Sequence, residues 1–131
     1  MKKIVFLILI SVISLTSFAQ TQLEMNEEAF TNFQKADKKL NTVYQKILQM
    51  YKNEAIFIKN LKTSQRLWVQ LRDANVDMTY PEIPGEFSGS IRPLCVSNLM
   101  TTLTEERINY LKQWIDGTVE GDMCSGSIRM R

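Results

Sequence analysis

The sequence predicts an all-α fold, an antiparallel bundle of three main helices with a Pro/Gly loop between the second and third and a short C-terminal tail. Apolar residues recur at three- and four-residue steps over three long stretches, which is the period of an amphipathic helix. No glycine or proline occurs before residue 81, and all three prolines then fall within residues 81–93. No strand pattern competes, and 131 residues are enough for one domain.

Residues 1–19 have the features of a secretory signal peptide. Two lysines precede an apolar run over residues 4–15, and Ser17 and Ala19 supply small side chains at a cleavage site. The run is shorter than the roughly 20 residues of a membrane-spanning helix. We therefore expect a periplasmic or secreted domain of residues 20–131, with no stable membrane insertion after cleavage.

The first helix is predicted from Glu27 to Tyr51. Its apolar positions are Phe30, Phe33, Leu40, Val43, Tyr44, Ile47, Leu48 and Tyr51. Asn53 is a plausible cap for a second helix that continues to Asn75. The third helix is predicted from Leu94 to Ile115, with Gly117 as its C-terminal stop and the start of the tail.

Composition argues against catalysis, because the chain has no histidine. This excludes Ser-His-Asp and Cys-His nucleophile systems and histidine-ligated zinc. The adjacent carboxylates Glu27 with Glu28 and Glu105 with Glu106 point about 100° apart on a helix, so they do not converge on one substrate. We expect a non-enzymatic protein without metal or cofactor.

Charge gives no reason to expect a nucleic-acid partner. The formal net charge is +2, and removal of Lys2 and Lys3 with the signal peptide leaves equal numbers of basic and acidic residues. Four lysines cluster on the first helix, but such a patch is more often a solvated face. They are Lys35, Lys38, Lys39 and Lys46.

Polar residues interrupt the apolar faces of the first two helices at helical spacing. They are Asp37, Asn41 and Tyr44 in the first helix and Gln65, Trp68 and Arg72 in the second. In an antiparallel pair, Arg72 would meet the Asp37 carboxylate in a partly buried cluster. Such a cluster is either a ligand site or a hydrogen-bonded network that fixes helix register, and the second interpretation is favoured.

Four segments in order resemble the lysozyme inhibitor LprI-like N-terminal domain family. They are ADKKLNTVY at 36–44, SQRLWVQLRDA at 64–74, Gly89-Ser90, and LTEER at 103–107 followed by Leu111. The resemblance runs from Gln22 to about Trp114 and implies a secreted helical domain. It also implies inhibition of lysozyme, an activity established for few members.

The cysteines depart from the pattern of that family. Glu28, Val76 and Leu99 stand where typical members carry cysteine, and this chain has Cys95 and Cys124 instead. An oxidising compartment favours a Cys95–Cys124 disulfide. The tail reaches back along the third helix only if nearly extended, so free thiols or an intermolecular bond stay as alternatives.

If the protein inhibits lysozyme, we expect the part that enters the enzyme to be the loop from Met78 to Arg92, because proline and glycine stiffen it and loops often carry binding residues. The aromatic anchors would be Tyr80 and Phe87, and the hydrogen-bonding residues for the acidic groups of a glycosidase cleft would be Ser88, Ser90 and Arg92. The alternatives are an ordinary exposed connection, and a helical envelope module that binds another protein or cell-wall partner. The sequence does not predict an oligomeric state.

Overall fold

The computed structural model of the chain contains three helices, α1 (Lys2–Met50), α2 (Ala55–Thr79) and α3 (Arg92–Asp116). It describes residues 2–85 and 88–130, with side chains and burial from Thr21 onward. Within these residues there is no β-strand, and one isolated bridge joins Thr118 to Met130. The predicted all-α bundle is confirmed.

The helices alternate in direction, so α1 and α3 are parallel and α2 runs antiparallel to both. At one end of the α1–α3 contact, Asn26 Nδ2 donates to the Ser90 carbonyl oxygen at 3.0 Å. At the other end, the Tyr51 hydroxyl donates to the Trp114 carbonyl oxygen at 3.2 Å. The short turn between α1 and α2 and the longer loop over residues 80–91 join neighbouring helices in this up-down-up order.

The helix boundaries differ from the prediction by a few residues, except at the start of α1. That helix continues through the segment predicted to be the signal peptide, because no glycine or proline interrupts it. The predicted cap Asn53 lies in the turn instead, and Glu54 holds the N-cap position of α2. Gly117 ends α3 as predicted, with φ 74° and its N–H donating to the Gln113 carbonyl oxygen.

The core is built mainly from α1 and α3. Buried side chains of α1 recur on one face at steps of three, four and seven residues, namely Ala29, Ala36, Leu40, Val43 and Ile47. The buried side chains of α3 are Ser97, Thr104, Arg107, Ile108 and Leu111. The small buried side chain of Ser97, in the first half of α3, lets the backbones of α1 and α3 approach closely. Phe30, placed on the apolar face by the sequence pattern, is 51% exposed, so the core face is that of Ala29.

The tail folds back onto the turn between α1 and α2. Arg129 donates through NH2 to the Met50 carbonyl oxygen and to Glu54 Oε1, both at 2.8 Å. Its guanidinium carbon lies 4.2 Å from the centre of the Tyr51 ring. These contacts close one end of the bundle.

The predicted Cys95–Cys124 disulfide is not formed, and both cysteines are free thiols. Cys95 lies in the first turn of α3, whereas Cys124 lies in the tail beyond its C-terminal end. The tail folds over the turn after α1 rather than running back along α3, so the two side chains stay at opposite ends of the bundle.

One buried hydroxyl in the core predicts a stabilising substitution. Thr104 is fully buried, and its Oγ1 has no hydrogen-bond partner among the described atoms. We expect Thr104→Val to raise the free energy of unfolding by about 1 kcal/mol, because a valine of similar shape removes an unsatisfied polar group. Urea denaturation followed by circular dichroism measures the change.

Thr102→Val is the matched control, since Thr102 is exposed and donates to the Asn98 carbonyl oxygen at 3.1 Å. It should give no gain in stability. Equal effects of the two substitutions would contradict the assignment of an unsatisfied hydroxyl at Thr104.

Candidate functional site

The connection between α2 and α3 is held in shape by Arg92. Its NH2 group donates to the Tyr80 carbonyl oxygen at 2.7 Å, and NH1 lies 3.4 Å from Glu82 Oε1. Its buried Nε has no partner among the described atoms. Because Tyr80 caps α2 and Arg92 begins α3, one guanidinium joins both ends of the loop.

The other predicted loop residues lie in different settings. Tyr80 is half-buried, and Ser88 and Ser90 are exposed, while Phe87 lies outside the described residues. The Ser90 carbonyl oxygen accepts the hydrogen bond from Asn26 described above, which fixes the loop to α1. Met78 belongs to α2 rather than to the loop, because the helix continues to Thr79.

An open cavity of about 300 Å³ lies beside this loop. Its walls are formed by Thr79, Tyr80, Pro81, Ile83, Ser88, Ile91, Arg92 and Cys95. Ile83 and Ile91 are 50% and 54% exposed, so the loop presents apolar as well as hydroxyl groups. Surface of this mixed kind is typical of protein contacts.

The polar cluster predicted between α1 and α2 is centred on Arg72. Its NH1 lies 3.6 Å from Asp37 Oδ1, and its Nε and NH2 both lie 2.9 Å from Asp73 Oδ1. Its guanidinium carbon also lies 5.6 Å and 5.3 Å from the ring centres of Phe33 and Trp68. The Arg72 side chain is 10% exposed, so two carboxylates neutralise a nearly buried cation.

Gln65 contacts Arg107 of α3, and the Trp68 ring lies beside both Arg72 and Arg107. The sequence pattern did not place Arg107 in this cluster. Arg107 Nε donates to Gln65 Oε1 at 3.0 Å, and NH2 donates to Ser64 Oγ at 2.9 Å. The guanidinium carbon lies 5.7 Å from the Trp68 ring centre and 5.3 Å from that of Tyr110. Burial lowers the pKa of Arg107, and Tyr110 partly opposes this.

A signal for Arg107 was present in the sequence. It lies four residues after Leu103 and four before Leu111, both on the apolar stripe of the third helix. A charged residue on such a stripe predicts a buried, hydrogen-bonded group. The six residues predicted for the cluster all lie on the first two helices, so Arg107 is not among them.

Asn41 and Tyr44 lie outside these contacts. Asn41 is exposed, and Tyr44 is half-buried at the edge of the core. Burial raises the pKa of the Tyr44 phenol.

A groove follows the outer side of the α2–α3 contact. An apolar cavity of about 370 Å³ is lined by Ile56, Phe57, Asn60, Leu61, Ser64, Tyr110, Leu111, Trp114 and Ser127. A second cavity of about 320 Å³ is lined by Trp68, Leu71, Arg72, Asn75, Leu103, Glu106, Arg107 and Tyr110. Tyr110 lines both, so the two cavities adjoin beside Arg107.

In the described part of the chain, no group of three or more cysteine, aspartate or glutamate side chains is arranged to hold a metal ion. The site residues named above offer hydrogen bonding, apolar contact and cationic attraction.

The half-buried Tyr44 phenol predicts a loss of stability at high pH. A raised pKa means that the folded state holds the Tyr44 proton more tightly than the unfolded state does. This stabilisation is complete below the unfolded pKa, near 10, and is lost as the pH rises through the folded pKa. Between about pH 8 and pH 11, the wild type should lose more free energy of unfolding than Tyr44→Phe. The free energy of unfolding is measured by urea denaturation at each pH. An equal loss for the wild type and Tyr44→Phe over this pH range would refute the prediction.

The loop contacts of Arg92 predict a change in local mobility. In Arg92→Lys a single ammonium cannot reproduce the forked contacts to Tyr80 and Glu82, so the loop should open more often. We expect severalfold faster thermolysin cleavage within residues 80–91, with unchanged helicity by circular dichroism. Arg66→Lys on the exposed side of α2 is the control. Equal cleavage rates would show that Arg92 does not hold the loop.

Comparison with known proteins identifies the family of this chain. A family model described as lysozyme inhibitor LprI matches residues 16–111, which include nearly all of the helical bundle and exclude the tail. No match is found among the curated proteins or among the solved structures. The resemblance read from the four sequence segments is thereby confirmed. The chain belongs to the lysozyme inhibitor LprI family.

Proposed function

We propose that the protein is an exported, non-enzymatic binding protein of the cell envelope that inhibits a lysozyme. The family match is the single observation that carries this proposal, because it names an inhibitor family rather than an enzyme family. Members of the family are envelope or secreted proteins. Among the residues whose side chains the structure describes, from Thr21 onward, no helix combines the length and apolar character that membrane crossing requires. The predicted signal peptide accounts for export.

The loop over residues 80–91 is the contact surface that we assign to lysozyme. Arg92 and the Asn26–Ser90 hydrogen bond hold the loop before a partner arrives, which lowers the entropy lost on binding. Ile83 would provide apolar contact, and Ser88 would donate to acidic groups of the enzyme cleft. Tyr80, Phe87 and Ser90 complete the proposed surface.

Arg92 has a different part in this proposal than the sequence predicted for it. Its guanidinium already contacts the Tyr80 carbonyl oxygen and the Glu82 carboxylate. Releasing it to contact an enzyme carboxylate would break both contacts. We therefore assign Arg92 as a positioning residue for the loop.

A second candidate function is an envelope module that binds another protein or cell-wall partner. The observation that favours it is an apolar stripe on the outer face of α2, where Ile56, Leu67, Leu71 and Met78 are 79%, 55%, 59% and 75% exposed. These positions repeat at helical spacing, and exposed stripes of this kind commonly pack against a partner. This candidate uses a different surface from the loop.

The test is lysis of purified peptidoglycan by several lysozymes, with the purified protein at a large molar excess. We expect slower lysis with at least one enzyme, and about a tenfold weaker effect for Ile83→Lys, since a charge at a buried contact is costly. Ser88→Glu should weaken inhibition as well, because its carboxylate would repel the acidic cleft.

Val119→Lys is the matched control, since Val119 is 74% exposed in the tail at the other end of the bundle. It should inhibit as well as the wild type. Undiminished lysis with every enzyme would refute the inhibitor function. Inhibition that is unaffected by both loop substitutions would instead refute the assignment of the loop.

A further inference from the structure

Arg107 carries a buried positive charge that no carboxylate of the described residues neutralises. Its residue exposure is 8%, yet no carboxylate oxygen of the described residues lies within 4.0 Å of its guanidinium. Its hydrogen-bond acceptors, Gln65 and Ser64, are neutral. Arg72 is comparably buried but has both Asp37 and Asp73 beside it.

Such a charge is costly unless it is paired, because burial removes the water that would otherwise solvate it. Arginine does not lose its charge in response, since its guanidinium stays protonated in proteins. Two neutral acceptors and two aromatic rings offset part of this cost. An incoming carboxylate would offset more of it through a charge-assisted hydrogen bond.

The groove around Arg107 has room for such a group. Arg107 and Tyr110 line the cavity of about 320 Å³, and Ser64, which accepts from Arg107, lines the adjoining apolar cavity of about 370 Å³. Both volumes fall in the range of small-molecule sites. The step from Ser64 to Ile56 along α2 covers about 12 Å, the length of an extended chain of about ten carbons.

We propose that the α2–α3 groove binds a small organic carboxylate with an apolar tail, its carboxylate against Arg107 and its tail over Tyr110 toward Phe57 and Trp114. The site is separate from the loop assigned to lysozyme, so it does not depend on the inhibitor function. Charge complementarity selects a carboxylate head, and the aromatic walls of the apolar cavity select a hydrocarbon tail.

Neutralising Glu106 should strengthen the binding of an anion, whereas neutralising Arg107 should weaken it. The Glu106 side chain is exposed and lines the same cavity as Arg107, so its carboxylate opposes the arrival of an anion. Glu105 is also exposed, but it lines a different cavity together with Lys35 and Lys39 of α1. Neutralising one or the other changes the net charge equally, while only Glu106 lies beside the proposed site.

The experiment titrates the purified protein with decanoate and follows tryptophan fluorescence. Both tryptophans of the sequence line the groove, Trp68 in one cavity and Trp114 in the other. We expect saturable binding of decanoate, with much weaker binding of decanamide, which has the same tail without charge, and of acetate, which has no tail. Arg107→Gln should weaken decanoate binding about tenfold or more, because it removes a charged hydrogen bond.

Glu106→Gln should tighten decanoate binding about two- to fivefold, the range of an exposed charge interaction, and Glu105→Gln should leave it unchanged. Equal affinity for decanoate and decanamide would overturn the proposal, as would equal effects of the two glutamate substitutions. If Arg107→Gln loses its helical circular dichroism signal, the comparison of Glu106→Gln with Glu105→Gln still decides the outcome. Lysozyme inhibition is measured separately and has no bearing on this result.

Discussion

The close parallel contact between α1 and α3 is the constraint on which the rest of the molecule depends. Small residues such as Ala36 and Ser97 allow the backbones to approach, and Ile47, Ile108 and Leu111 then fill the interface. Apolar burial of this kind supplies most of the driving force for a small helical domain. Because α1 and α3 bury most of their apolar side chains against each other, α2 does not have to lie in the centre of the core.

The position of α2 follows from that arrangement. It contributes Leu61 and Val76 to the buried set, and arginines make its polar contacts with the other helices. Arg72 of α2 reaches the Asp37 carboxylate of α1, whereas Arg107 of α3 reaches across to Gln65. Guanidinium groups bridge longer distances than apolar side chains do, so the α2–α3 contact retains an open groove. Because α2 lies at the side of the α1–α3 pair, the apolar stripe on its outer face stays exposed.

The sequence predicted the helix count, their order and the pairing of Asp37 with Arg72, since these depend on periodicity and the absence of helix breakers. The predicted apolar face of α1 is buried at Leu40, Val43 and Ile47, but near its start the buried residue is Ala29 and not Phe30. Phe30 is more apolar than Ala29, but the close approach of α3 selects the smaller residue. The spacing of α3 does place Arg107 on an apolar stripe, but spacing within one helix does not show that its partners are Gln65 and Ser64 of α2.

In the absence of a Cys95–Cys124 bond, arginines close both ends of the described bundle in the same way. At the loop end, Arg92 donates to a main-chain carbonyl oxygen and contacts Glu82. At the turn end, Arg129 likewise donates to a carbonyl oxygen and contacts Glu54. Each guanidinium satisfies an acceptor at a helix terminus and joins two segments that a short connection alone would leave mobile. Arg92 therefore stiffens the loop assigned to lysozyme. Arg129 anchors the tail, which lies outside the residues that match the family.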